Sequence, residues 1–100
     1  MLIHTVMWKF CDAEGKTKAE NIEIVKEGLE SLITKVPVLQ SIEFFKNEVV
    51  CDRNFDAMLV VRVLNEQALD AYKNHPEHQK VAAYVAKVTC GRAAVDIHGM

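Results

Sequence analysis

The sequence predicts an α+β protein of ferredoxin-like β-α-β-β-α-β order, with two helices on one face of an antiparallel four-stranded sheet. Three observations predict this fold. Short β-rich segments alternate with amphipathic helical segments, two of the strands are apolar on both faces, and a proline interrupts the second helical segment. One hundred residues suffice for one hydrophobic core but not for two, so we expect a single domain over residues 1–100.

The first part of the chain is predicted to form a strand followed by a helix. Residues 2–10 are rich in β-branched and aromatic types, which favour a strand, and residues 11–17 are typical of a loop. Apolar side chains then recur at i, i+3 and i+7 and predict a helix over residues 18–36, which Pro37 ends. Gly28 weakens this helix by about 1 kcal/mol relative to alanine, unless close packing against the sheet requires a missing side chain there.

Three further segments complete the predicted sheet. Residues 39–50 fit a second strand and residues 51–54 a turn, since Asp and Asn tolerate the backbone conformations of turns. Residues 55–64 are the clearest strand in the chain, because their apolar side chains alternate regularly. Residues 92–98 form the predicted last strand.

The second helical segment is predicted to begin twice. Asn65 is a suitable N-cap for a short first helix. Pro76 is expected to start a new helix. If Pro76 is its first residue, the N-cap is His75. If Asn74 is the N-cap, Glu77 stands at the third helical position and completes a capping box. The restarted helix is expected to end near Gly91.

The uncovered face of the sheet predicts a dimer. The first and third strands are apolar on both sides, where a solvated face should be polar. Two helices cover only one side, and 100 residues leave nothing to cover the other. We therefore expect a homodimer through the sheet face, a dimeric α+β barrel with a largely apolar interior between the two subunits.

Composition and charge argue against several classes of function. The net charge is −2 and no basic stripe is present, so neither nucleic acid nor an acidic membrane surface is an expected partner. The N-terminal segment lacks the basic region of a signal peptide, and no apolar run approaches the roughly 18 residues of a membrane span. Cys11, Cys51 and Cys90 form no C-x-x-C pair and are expected to be free thiols. We therefore predict a soluble, cytoplasmic protein.

The stretch around Pro76 carries the candidate catalytic residues. Tyr72 and His78 lie six positions apart, so in one continuous helix they would point to different faces. A break at Pro76 allows them to converge. His78 would then remove a proton next to a carbonyl, and the Tyr72 hydroxyl would stabilise the oxygen on which charge develops. The structural alternative is a helix junction in which Tyr72 is a core aromatic and His78 is exposed.

His4 is a second candidate, because it shares a strand face with Val6 and Trp8. A histidine on an apolar face is usually a satisfied core residue, but it becomes a pocket residue if that face borders a cavity. His75 and His78 are spaced to share a metal, yet no further ligand of zinc spacing accompanies them. No glycine-rich phosphate loop or flavin signature is present, so neither metal nor cofactor is predicted.

Charged residues on the last two strands are assigned to structural ion pairs. We expect Asp56 to pair with Arg62, or Asp96 with Arg92, across neighbouring strands.

The chain resembles the stress-responsive α/β-barrel (Dabb) domain family of the dimeric α+β barrel superfamily over essentially its whole length. The run L-x-x-Y-x-x-H-P-x-H from Leu69 to His78 is the specific part of this resemblance. The weaker parts are the strand Ile3 to Phe10, Val36-Pro37, Phe55-Asp56 and Val95-Asp96. The resemblance implies a small homodimer whose barrel encloses a cleft.

A plant polyketide cyclase of this family is similar at His4, Tyr72, His75 and His78. It implies that His78 is the general base and Tyr72 its phenolic partner in an intramolecular aldol condensation. The first helix here lacks a tyrosine that the cyclase uses in its pocket, so its polyketide substrate is not implied.

The sequence thus predicts a homodimer with a small apolar cleft in each subunit that binds a small organic molecule. His78 and Tyr72 are its expected catalytic residues, and the activity would be a cofactor-independent cyclisation or lyase-type reaction. The expected substrate-binding residues are His4, His75, Val6 and Trp8. One alternative is a non-catalytic ligand-binding or structural stress-response dimer, and another is a cofactor-free monooxygenase.

Overall fold

Four strands form one antiparallel sheet in the order β2-β3-β1-β4. The computed structural model describes residues 1–99, and its strands are β1 (Leu2–Phe10), β2 (Ser41–Lys46), β3 (Ala57–Val63) and β4 (Thr89–His98). This order is that of the ferredoxin-like fold, so the predicted fold class is confirmed. The second and third strands are shorter than predicted, because Asn47 already belongs to the hairpin loop. Its side-chain amide donates to the Val49 carbonyl at 2.8 Å.

The helices all lie on one side of the sheet. They are α1 (Lys18–Glu30), a 3₁₀ helix (Ser31–Thr34), α2 (Glu66–Asn74) and α3 (Pro76–Val88). The α-helix predicted over residues 18–36 is too long, because the Ser31 hydroxyl donates to the Gly28 carbonyl at 2.8 Å and the chain tightens there. None of the helices within residues 1–99 has the length and apolar character needed to cross a membrane.

The core lies between the sheet and the helices. Alternate residues of β1 and β3 point into it, from Leu2 to Phe10 and from Ala57 to Val63. Gly28 of α1 faces α3, where an added Cβ would stand 3.2 Å from Val81 Cγ1. The missing side chain therefore allows close contact between two helices, whereas the sequence suggested contact with the sheet.

The opposite face of the sheet is uncovered and largely apolar. Ladder pairing aligns its side chains in an apolar row, Phe45-Met58-Met7-Ala93, and two mixed rows, Glu43-Val60-Thr5-Val95 and Ser41-Arg62-Ile3-Ile97. Val95 is 60% exposed and Ile97 51% exposed. The prediction that the chain's own helices cover only one face is confirmed.

Neither predicted ion pair forms. Asp56 Oδ1 lies 2.9 Å from the Lys18 ammonium, and Arg62 pairs with Glu43 of β2 at 2.7 Å. Asp96 and Arg92 lie on one strand, four residues or about 13 Å apart, so they cannot be cross-strand neighbours. Asp96 pairs instead with His4.

The last strand begins three residues earlier than predicted. The helix α3 ends at Val88 rather than near Gly91, and the Thr89 hydroxyl donates to the Val85 carbonyl at 2.8 Å, which satisfies one of its terminal carbonyls. The chain enters β4 directly, with a register shift opposite Lys9 and Phe10. All three cysteines are free thiols, as predicted.

Candidate functional site

A break between α2 and α3 brings Tyr72 and His78 into contact. His75 is extended (φ −66°, ψ 133°) and Pro76 is the first residue of α3. The Nδ1 atom of His75 accepts from the Glu77 backbone N–H at 3.1 Å, so His75 is the N-cap, one of the two predicted alternatives. The rings of Tyr72 and His78 lie 4.3 Å apart between centroids, at an angle of 50°. The break thus produces the convergence that a continuous helix would forbid.

These two residues border a cavity of about 450 Å³ between the sheet and the helices. Its lining residues are His4, Val6, Trp8, Leu29, Leu59, Tyr72, Lys73, His78, Ala82, Val85, Ala86, Thr89 and Arg92. His4, Val6 and Trp8 turn toward the helices of their own subunit, so this cavity lies on the helical side of the sheet and not on its uncovered face.

Tyr72 contributes an unsatisfied hydroxyl to the cavity wall. Its side chain is 1% exposed, and Oη has no hydrogen-bond partner within residues 1–99. Burial raises the pKa of Tyr72, so the phenol stays protonated at neutral pH and is available as a donor. A buried hydroxyl without a partner costs about 1–3 kcal/mol, which a ligand with an acceptor oxygen would relieve.

His78 is held as a neutral base. Its Nδ1 lies 3.1 Å from the backbone carbonyl of Lys73, which can only accept, so Nδ1 carries the proton and Nε2 keeps a free lone pair. Burial lowers the pKa of His78 below its ordinary value, and the positive charges of His4, Lys73 and His75 lower it further against the opposing hydrogen bond. A neutral imidazole with a free nitrogen is suited to proton abstraction.

His4 is a second oriented imidazole on the same wall. It is 5% exposed, and its Nδ1 contacts the Asp96 carboxylate directly across the β1–β4 ladder. A carboxylate only accepts, so Nδ1 of His4 is the donor in this pair. Sequence analysis missed this role of Asp96. Pairing the predicted last strand with the first in antiparallel register would have placed Asp96 opposite His4.

Of the other predicted binding residues, two line the cavity and one has a structural role. Val6 and Trp8 line the cavity beside His4, and the Trp8 ring also stacks on Phe44 with centroids 6.4 Å apart. His75, predicted to bind substrate, lies off the cavity wall, because its ring is used to cap α3.

The wall also contains three polar residues that sequence analysis did not select: Lys73, Thr89 and Arg92. Nothing in the sequence pattern marked them, because each is ordinary for its own strand or helix. Across residues 1–99, no group of three His, Cys, Asp or Glu side chains is placed to hold a metal ion.

A more open groove of about 550 Å³ lies on the uncovered face of the sheet, beside the β2–β3 loop. Met7, Phe45 and Met58 line it, and no histidine or tyrosine does so. It is therefore a weaker candidate for proton chemistry than the cavity around Tyr72.

Several solved structures are similar in fold to this chain. A dimeric ferredoxin-like protein of unknown function from Bacteroides fragilis is 25% identical, with a TM-score of 0.79 over 98% of this chain and 95% of that one. A dimeric ferredoxin-like protein from Thermobifida fusca is 23% identical, with a TM-score of 0.81 over 96% and 88%. An antibiotic biosynthesis monooxygenase is 15% identical, with a TM-score of 0.69 over 100% and 99%.

Sequence comparison identifies the family. No curated protein matches the chain. The model of the stress-responsive A/B barrel domain matches residues 2–98, nearly the full length. The pattern from Leu69 to His78 and the ferredoxin-like sheet agree with that match. The chain therefore belongs to the stress-responsive A/B barrel domain (Dabb) family.

Proposed function

We propose that this protein is a homodimer in which each subunit binds a small carbonyl compound in the cavity around Tyr72 and catalyses cofactor-free proton abstraction, leading to aldol-type ring closure. One observation carries the proposal: Tyr72, whose hydroxyl lacks a hydrogen-bond partner within residues 1–99, lines the cavity in ring contact with His78. That combination supplies a donor for a carbonyl oxygen and a base for the neighbouring carbon.

The reaction balances without an oxidant or a reductant. The Nε2 atom of His78 takes a proton from the carbon next to the carbonyl, and Tyr72 donates a hydrogen bond to the enolate oxygen. The enolate carbon attacks a second carbonyl of the same molecule, which forms a C–C bond and an alkoxide. The alkoxide recovers the proton from the His78 imidazolium, and loss of water then gives an unsaturated ring.

The electrostatics of the cavity support these roles. The pKa of Tyr72 is raised by burial, so the phenol acts as a donor and not as the base. The pKa of His78 is lowered by burial, so its free base form predominates at neutral pH. His4, oriented by Asp96, adds a second imidazole to the same wall.

The homodimer is supported by the uncovered face of the sheet. A contiguous apolar surface of this kind is rare on a monomer. The similar proteins from B. fragilis and T. fusca are described as dimeric. Three free thiols also suit a reducing compartment, and we place the dimer in the cytoplasm.

The test is exchange and cyclisation of a diketone. Heptane-2,6-dione incubated with the protein in D₂O should exchange its C1 methyl protons and close, through the C1 enolate, to 3-methylcyclohex-2-enone, and proton NMR follows both steps. We expect His78→Gln to slow both steps about 100-fold, and His98→Gln, which changes an exposed histidine off the cavity wall, to leave them unchanged. Equal rates for wild type and His78→Gln across a panel of mono- and diketones would reject the catalytic proposal.

Two alternatives have distinct readouts. A non-catalytic ligand-binding dimer would bind such ketones with no exchange above that of His78→Gln. A cofactor-free monooxygenase is favoured by the Trp8 ring in the wall and by the fold it shares with an antibiotic biosynthesis monooxygenase. It would begin from the same deprotonated substrate but would consume O₂, which an oxygen electrode measures.

A further inference from the structure

The cavity is positively charged in a protein of net charge −2. Its wall contains Lys73 and Arg92 together with two histidines, and no aspartate or glutamate lines it. The nearest carboxylate in contact with the wall, Asp96, is paired with His4. This distribution is unusual for a chain with 14 acidic and 12 basic residues.

The two cations have no acidic partner of their own. The ion pairs within residues 1–99 use other basic side chains, and neither Lys73 Nζ nor the Arg92 guanidinium makes a side-chain hydrogen bond there. Both residues are exposed, whereas His4 and Tyr72 are buried. Lys73 and Arg92 therefore lie at the solvent-exposed mouth of the cavity, and His4 and Tyr72 lie deeper.

The rest of the wall is mostly apolar. Leu29, Leu59 and Val85 belong to it and are almost fully buried in the subunit. A volume of about 450 Å³ falls within the usual range for small-molecule sites. A matching ligand has an apolar body, a carbonyl at the Tyr72 end and a charged group at the mouth.

We infer that the cavity takes an apolar oxo compound with one terminal oxyanion group, a carboxylate or a phosphate, which Arg92 and Lys73 bind at the mouth while the carbonyl reaches Tyr72. This inference rests on the proposed function for the position of the carbonyl. A guanidinium binds either oxyanion through two parallel hydrogen bonds, and an ammonium adds a point charge.

The oxyanion also affects the base. The Lys73 charge contributes to the lowered pKa of His78. An anion bound at Lys73 offsets that charge, so binding raises the pKa of His78. The other charged and titratable groups acting on His78 are His4 and His75, which remain in place.

The experiment compares three ligands that differ only at one end: 5-oxodecanoate, 5-oxodecyl phosphate and methyl 5-oxodecanoate. Calorimetry at low salt should show at least one anion binding about tenfold more tightly than the neutral ester, with the preference weakened by added salt. The anion that binds more tightly shows whether the cavity prefers a carboxylate or a phosphate. Proton NMR should show the His78 resonance titrating at higher pH with the anion bound than with the ester.

Single substitutions test whether Arg92 and Lys73 bind the anion. Arg92→Gln and Lys73→Gln should each weaken anion binding by roughly 3- to 10-fold and leave the ester unchanged. Lys35→Gln is the matched control, because it removes one exposed lysine that lacks an ion pair and lies off the cavity wall. All three positions are exposed, and thermal unfolding will verify that the variants remain folded.

Two results would overturn the inference. One is equal affinity for the ester and both anions, and the other is an equal loss of anion affinity in Lys35→Gln. Neither depends on catalysis, since the proposed function is measured by deuterium exchange at C4 and C6 of the same ligands. Selective anion binding without exchange would refute the base chemistry and leave the oxyanion site standing.

Discussion

The imidazole of His4 is paired with the Asp96 carboxylate across the β1–β4 ladder, so one strand supplies the ring and its neighbour determines which nitrogen carries the proton. His4 is buried, whereas the Asp96 side chain is 40% exposed. The carboxylate therefore orients a ring inside the cavity from a position that is itself open to solvent.

Asp96→Asn tests this positioning role. The amide no longer requires a proton on Nδ1 of His4, so the nitrogen-15 NMR shifts of the ring should reveal a changed tautomer balance. If His4 assists the reaction, kcat should fall at least about tenfold with KM nearly unchanged. Asp70→Asn is the control, since Asp70 is exposed on α2. An unaltered His4 tautomer would contradict the assignment.

Tyr72→Phe should separate function from stability. The hydroxyl has no partner in the ligand-free protein, so its removal should change the free energy of unfolding by less than about 1 kcal/mol, or stabilise the protein, while ligand binding and exchange are lost. Urea denaturation measures the first effect.

Tyr84→Phe is the matched control for that variant. The Tyr84 hydroxyl donates to Asn21 Oδ1 at 2.7 Å, so the phenylalanine variant would leave this buried amide oxygen without its donor. Its removal should therefore cost about 1–2 kcal/mol. A Tyr72→Phe variant as destabilised as Tyr84→Phe would mean that Tyr72 has a structural partner.

His75 should behave as a cap and not as a substrate ligand. His75→Ala removes the acceptor for the Glu77 N–H and should cost about 1 kcal/mol of stability. His75→Asn supplies another good N-cap, so it should restore most of the stability with wild-type ligand affinity. Loss of ligand affinity in the folded His75→Asn variant would restore His75 to the binding site.

The pH dependence follows from the lowered pKa of His78, whose ordinary value is 6.5. Between the folded pKa and 6.5 the unfolded chain binds more protons than the folded one, so the stability contributed by neutral His78 is complete above 6.5 and is lost as pH falls through that window. The exchange rate should likewise be flat at neutral pH and decline only below 6.5. The difference between wild type and His78→Gln isolates both effects, and identical stability profiles would contradict them.

Val95→Lys should disrupt the proposed dimer. Val95 lies on the uncovered face opposite Thr5 and is 60% exposed in the subunit, so lysine costs the subunit fold little but places a charge in the apolar interface. Sedimentation at micromolar concentration should show monomers. Ile33→Lys, a similar change on the helical side, should stay dimeric. A wild type that is monomeric under these conditions would reject the dimer.

Local patterns in the sequence were sufficient for most of the fold. β-branched and aromatic residues predicted β1, and alternation predicted β3. The Asn65 cap and the Pro76 restart predicted α2 and α3, and apolar residues on both faces of β1 and β3 predicted an uncovered sheet face. Each of these features depends on residues that are close together in the sequence, so a local pattern can predict it. Element ends were less predictable, because hydrogen bonds such as Ser31 to Gly28 decide where a helix tightens.

The sequence alone predicted the candidate pair Tyr72 and His78 and the helix break between them, because proline acts locally on the backbone. Only the tertiary structure decided what surrounds them. Strand register placed Asp96 opposite His4, and the packing of helices on the sheet put the cavity inside one subunit and left the Tyr72 hydroxyl unpaired. Such pairings join residues up to 92 positions apart, and no local pattern specifies them.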